Sequence, residues 1–122
     1  MKHQKIKWLE EPEDHDYPAA RSYLSLILKP GEAKSMIAKL REAKVVQYAA
    51  KDLFRASGLS LLGVSNGHVE KDKAKIEAGQ ALSPLLLYRD RSHGKLVIAD
   101  GYHRLCAVYR LDEDALIPCK IV

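Results

Sequence analysis

The sequence predicts one small α+β domain, a mixed sheet with helices, preceded by a helical hairpin. Three observations predict it. Apolar residues recur at helical spacing from Ala20 to Leu40, whereas beyond position 45 short β-type runs alternate with helical stretches. Two strand-like runs, 85–88 and 95–99, flank a polar connection that ends in Gly94, as in a β-hairpin. A chain of 122 residues has room for a single core of ordinary size. The expected division is a polar arm at 1–16, the hairpin at 17–44 and an α+β core at 45–122.

The arm is basic at Lys2, Lys5 and Lys7 and acidic from Glu10 to Asp16, a pattern that is solvated or lies along a domain surface. Trp8 is its one anchor, as a packed edge residue rather than a ligand-stacking one. Pro18 suits a first helical turn, and Ala20, Tyr23, Leu24, Ile27 and Leu28 form an apolar face that ends before Pro30. A second helix is expected over 32–43, with Ala33, Met36, Ile37 and Leu40 on one face. Residues 45–48 read as a strand, and 51–57 as one or two helical turns stopped by Gly58. Residues 59–69 hold Ser65-Asn66-Gly67 and read as a long loop bordering a site. A lysine-rich helix over 70–78 closes at Gly79. After the hairpin and one further helix, Ile117, Cys119 and Ile121 alternate with Pro118 and Lys120 in a closing strand.

Composition narrows the function classes. With 47% hydrophobic and 30% charged residues the chain is globular rather than disordered. Its net charge of +4 comes from scattered cations, so it permits an anionic ligand without the clustered basic face of a duplex binder. Cys106 and Cys119 lack metal-type spacing and read as buried small hydrophobes, not nucleophiles. No leader and no apolar run of membrane-spanning length is visible, so the expected setting is cytoplasmic, without a membrane partner and with both thiols free.

The chemistry concentrates in KLVIADGYHRLCAVY, residues 95–109. A strand empties through Asp100-Gly101 into a helix that opens with Tyr102, His103 and Arg104. Gly101 can take a positive φ and let an anion approach the backbone. The next amides are the unpaired donors of a helix start, where the dipole also favours negative charge. Arg104 can add a bidentate contact to phosphate and His103 a further donor. Asp100 has three readings: helix cap, metal ligand or catalytic base.

Read whole, LSPLLLYRDRSHGKLVIADGYHRLCAVYRLDEDALIPCKIV resembles the nucleotide-binding core shared by ParB-like domains and sulfiredoxin. Pro84, Asp100, Gly101, His103, Arg104, Ala107, Ile117 and Pro118 carry the resemblance, and the N-terminal helices take no part in it. It implies a small mixed sheet, and phosphates of ATP or CTP held by Gly101, Tyr102, His103 and Arg104. It also implies a lysine from the 70–78 helix, for which Lys73 is favoured over Lys71 and Lys75. Tyr102 stands where sulfiredoxin carries its catalytic cysteine, which speaks against sulfinic acid reduction. The chain closes at Val122 with no helix-turn-helix, which speaks against sequence-specific DNA binding.

Two functions follow as expectations. One is a stand-alone nucleotide-binding domain, in which a phosphotransferase or hydrolase would use Asp100 as base, magnesium, and a second acid such as Glu70 or Glu77. The other is a non-catalytic module that binds a protein or nucleic acid on the same fold.

Overall fold

The computed structural model describes residues 5–60 and 66–122. Its elements follow in the order α1 Asp16–Leu24, α2 Pro30–Glu42, β1 Val46–Ala49, α3 Ala50–Ser57, α4 Gly67–Glu77, β2 Leu85–Asp90, β3 Lys95–Asp100, α5 Tyr102–Leu111 and β4 Leu116–Ile121. The fold is α+β around a four-stranded mixed sheet in the order β1-β4-β2-β3. The expected hairpin is the antiparallel pair β2·β3, β4 runs antiparallel to β1, and β4 lies parallel to β2.

Both faces of this sheet are covered. Leu85, Leu87, Ile98, Ile117 and Cys119 pack with Leu53 of α3, Val69 and Ile76 of α4, and Leu105 and Val108 of α5. Leu86, Val97 and Ala99 pack on the opposite side with Tyr17, Ala20 and Leu24 of α1 and Ala33, Ile37 and Leu40 of α2. Alternate residues of a strand point to opposite faces, so a sheet covered twice needs consecutive apolar residues. Leu85, Leu86 and Leu87, all buried, are that signature.

The double cover corrects the reading of the closing strand. Lys120 falls on the polar side of the alternation, yet it is 1% exposed beneath the hairpin. Its ammonium donates to the Tyr17 hydroxyl and the Arg41 carbonyl, both at 3.1 Å, and pairs with Glu11 at 3.0 Å. The Arg41 guanidinium lies over the Tyr17 ring, 4.3 Å from its centroid. A buried cation persists only when its donors are satisfied, and these partners satisfy it.

The hairpin helices are shifted from their expected bounds. α1 stops at Leu24, and the chain turns through 25–28, leaving Leu26 and Ile27 exposed rather than on a helix face. Proline disfavours helical backbone in the residue before it, and Lys29 is accordingly extended at φ −63°, ψ 150°. Pro30 then opens α2 at its first position, two residues ahead of the expected start, since its missing N–H costs nothing there.

The arm lies along the domain. Leu82 donates to the Lys7 carbonyl at 2.9 Å and Leu9 to the Leu82 carbonyl at 2.8 Å, with Trp8 and Ile6 packed against the core edge. The expected loop at 59–69 is shorter at its far end. Asn66 accepts from His68 and Val69 and caps α4, which begins at Gly67 instead of residue 70. Residues 61–65 of that loop lie outside the described residues. Among the described residues no helix is long and apolar enough to cross a membrane.

Candidate functional site

β3 delivers the chain to Asp100, Gly101 turns it at φ 110°, and α5 begins at Tyr102. The first intrahelical bond runs from Leu105 N–H to the Gly101 carbonyl. The amides of Tyr102, His103 and Arg104 therefore stand ahead of the hydrogen-bond ladder, and no side chain caps them. The cap reading of Asp100 is thereby overturned. Its Oδ2 instead accepts from Arg104 Nη2 at 2.9 Å, because a guanidinium four residues on offers a charge-assisted bond stronger than a neutral amide can.

Gly101 serves its own chain first. A Cβ there would lie 2.7 Å from Arg104 Nη2 and 2.7 Å from Leu85 Cγ. The space that was expected to admit an anion on this side of the glycine is filled by the Arg104 fork.

The N-terminal hairpin contributes a residue from the end of the expected polar arm. Asp16, 3% exposed, opens α1, accepts from Glu13 N–H at 2.9 Å, and places Oδ1 3.9 Å from Arg104 Nη1. Arg104 is thus bracketed by two carboxylates, and its buried Nε has no hydrogen-bond partner among the described residues. This bracket fixes the direction of the guanidinium.

α4 supplies the opposite wall. His68 and Asp72 lie four residues apart, on one face of the helix, and face the start of α5. The His68 and His103 rings are 4.8 Å apart, centroid to centroid. Together with Asp100, Gly101 and Arg104 they line a cleft of about 160 Å³. Of the expected residues, Asp100, Gly101, His103 and Arg104 meet in this cleft. The Tyr102 ring turns away, and its hydroxyl donates to the Ser60 carbonyl. Lys73 is not on the cleft wall, since one residue beyond Asp72 turns the helix by about 100°; Glu70 and Glu77 are exposed and also off it.

Electrostatics separate the titrating groups. Burial raises the Asp100 pKa, helped by the neighbouring Asp16 carboxylate and opposed by Arg104. Asp72 is raised by burial against the pull of Arg104, Lys75 and both histidines. His103 is lowered, by burial first and by His68 second, with Asp72 opposing. Acids held up and a histidine held down are the arrangement from which proton donors and acceptors are drawn near neutral pH. The two cysteines have no place here: both are buried, and burial pushes Cys119 up to about 11.

The cleft offers uncapped amides, one oriented guanidinium, two adjacent imidazoles and two carboxylates. The donors of that set suit an anion with oxygen acceptors, and its carboxylates oppose one. Among the described residues no three His, Cys, Asp or Glu side chains are grouped to hold a metal ion by themselves. No family model, curated protein or solved structure matches the chain.

Proposed function

We propose that this chain binds the phosphates of a nucleotide, of the ATP or CTP class, at the mouth of α5. The observation that carries the reading is the convergence of His68, from α4, with His103 and Arg104, at the uncapped start of α5, on one polar cleft. Its volume of about 160 Å³ suits a phosphate end rather than a whole nucleotide, so base and ribose rest outside it. The resemblance of residues 82–122 to ParB-like domains and sulfiredoxin supports the same ligand.

Charge shapes the reading further. Asp16, Asp72 and Asp100 surround a single Arg104, an acid excess that repels a bare polyphosphate. Asp72 and Asp100 are the oxygen donors that magnesium prefers, and magnesium supplies charge neutralisation when it arrives with the phosphates. Should phosphoryl transfer or hydrolysis follow, the carboxylate that accepts the proton is Asp100 or Asp72, and neither Glu70 nor Glu77.

Calorimetric titration with ATP, CTP, GTP and ADP, each with and without magnesium, tests the reading. His103→Ala is the variant of choice, because it removes a cleft wall without unpairing Asp16 and Asp100. Saturable binding, magnesium-dependent and weakened about tenfold in the variant, is the expected result. No binding of any of the four by folded protein refutes it.

One observation favours an interaction module instead. β1 is an edge strand, and it exposes Val46 and Tyr48, with Leu116 beside it on β4. An exposed edge of this kind is a template for strand addition by a partner. Loss of a partner on Tyr48→Lys, with nucleotide binding absent, would establish that reading.

A further inference from the structure

At the far end of the sheet a second cavity, of about 400 Å³, lies between α3 and the β2–β3 hairpin and shares no residue with the cleft. Its volume is that of a small-molecule site. The walls are apolar: Leu53 and Ala56 of α3, Leu96 of β3, Ile121 of β4 and the ring of Tyr48. Its mouth is charged. Arg89, Arg91 and Lys95 stand around it, and none of the three has an ion-pair partner among the described residues.

The acids at the mouth are already engaged. Asp90 accepts from the His93 ring at 2.8 Å and from the Ser92 hydroxyl at 3.1 Å, and Asp52 lies 3.9 Å from Arg55. Three cations against two acids leave positive charge in excess where the apolar walls meet water. The backbone that carries Arg89 is fixed, since its N–H donates to the Val122 carbonyl at 2.7 Å and it pairs with Leu96 in the hairpin. Cations without an ion-pair partner at the rim of an apolar cavity are matched by a carboxylate on a hydrocarbon body.

We propose that this cavity binds a small apolar carboxylate, with its chain or ring against Leu53, Leu96 and Ile121 and its carboxylate at Arg89, Arg91 and Lys95. The site is independent of the cleft at α5, so either can fail without the other.

Octanoate is the probe, followed through amide resonances of labelled protein, with octylamine as the control of equal chain length and opposite charge. Octanoate is expected to shift Leu53, Ala56, Leu96 and Ile121 saturably, and octylamine to leave them in place. Arg89→Gln with Lys95→Gln should weaken octanoate at least tenfold. Ala56→Phe, which adds a ring from an exposed position on α3 without removing a core group, should abolish binding while the spectrum elsewhere stays folded. No saturable shift, equal shifts from octylamine, or unchanged affinity in the double variant would each overturn the proposal.

Discussion

Arg104 reaches back one turn to Asp100, and its Nη2 donates at 2.9 Å across the very space that a side chain on Gly101 would occupy. Glycine, ion pair and helix start are thus one device. The backbone turns at φ 110°, the carboxylate and guanidinium meet over the turn, and α5 starts there without a side-chain cap.

Gly101→Ala tests this device. The substituted residue would keep a left-handed backbone and push a methyl group to 2.7 Å from both Arg104 Nη2 and Leu85 Cγ. Leu85 is fully buried and cannot retreat without disturbing β2. Strain of this type costs ~1–3 kcal/mol and overpacking a similar amount, so a combined loss of ~2–4 kcal/mol in urea unfolding is expected. A loss below ~1 kcal/mol would show that the turn relaxes and that Arg104 is not confined by it.

The histidine pair gives a pH prediction. His103 is held below its ordinary value of 6.5 by burial and by His68. The folded protein then binds that proton less readily than the unfolded chain does. Stability from this group is present above 6.5 and is lost as pH falls from there through the folded value. His68→Gln removes the second cause, so the His103 ring should titrate at higher pH and the acid-side loss should shrink. Ring-proton shifts against pH measure it directly, and an unmoved or lowered His103 in the variant would mean that the rings do not sense each other.

Much of the fold was legible because its signals are local. Proline, glycine and alternating apolar runs mark where the chain turns and which residues enter a core, and the hairpin, α3 and the cysteine burial follow from them. What escaped depends on partners distant in sequence. Asp16 sits in an acidic run that reads as solvated, and only the docking of α1 on β3 brings it to Arg104. His68 and Asp72 carried a legible signal, a four-residue spacing on one helix face, but the lysines of the same helix drew the reading to Lys73 instead. Asp100 and Arg104 have that spacing too, and the choice between cap and ion pair turned on a strength of bonding that spacing alone does not express. The alternation in β4 does not by itself show that Lys120 is buried, although the unbroken Leu85-Leu86-Leu87 run indicates a sheet covered on both faces.

Asp72 carries the opposite pH dependence from His103. Burial raises its pKa above the ordinary 3.8, against the pull of Arg104, Lys75 and the histidines. The folded state therefore keeps the proton to higher pH than the unfolded chain. Its contribution to stability falls as pH rises from 3.8 through the folded value and stays low above it. Asp72→Asn should raise the Tm at pH 7 and leave it unchanged at pH 3, in thermal melts without ligand. A variant less stable at pH 7 would show that the carboxylate is held by Arg104 more strongly than burial penalises it, and would make Asp72 part of a structural ion-pair cluster.

Lys120 separates a buried cation's packing from its charge. Burial alone would lower its pKa, but the bonds with Tyr17 and Glu11 outweigh this and raise it, so the ammonium stays charged between sheet and hairpin. Its partners differ in kind: the bond to the Tyr17 hydroxyl is buried and that to the Arg41 carbonyl part-buried, whereas the Glu11 side chain is 66% exposed. Lys120→Met keeps an unbranched side chain one atom shorter and removes the donor from the Arg41 carbonyl and the Tyr17 hydroxyl. Leaving such groups unsatisfied costs ~1–3 kcal/mol, and that loss is expected in urea unfolding. Glu11→Gln removes only a solvent-screened ion pair and should cost under ~1 kcal/mol. The order of the two losses is the decisive readout. Were Glu11→Gln the more damaging change, Lys120 would owe its position to the arm rather than to the helical hairpin.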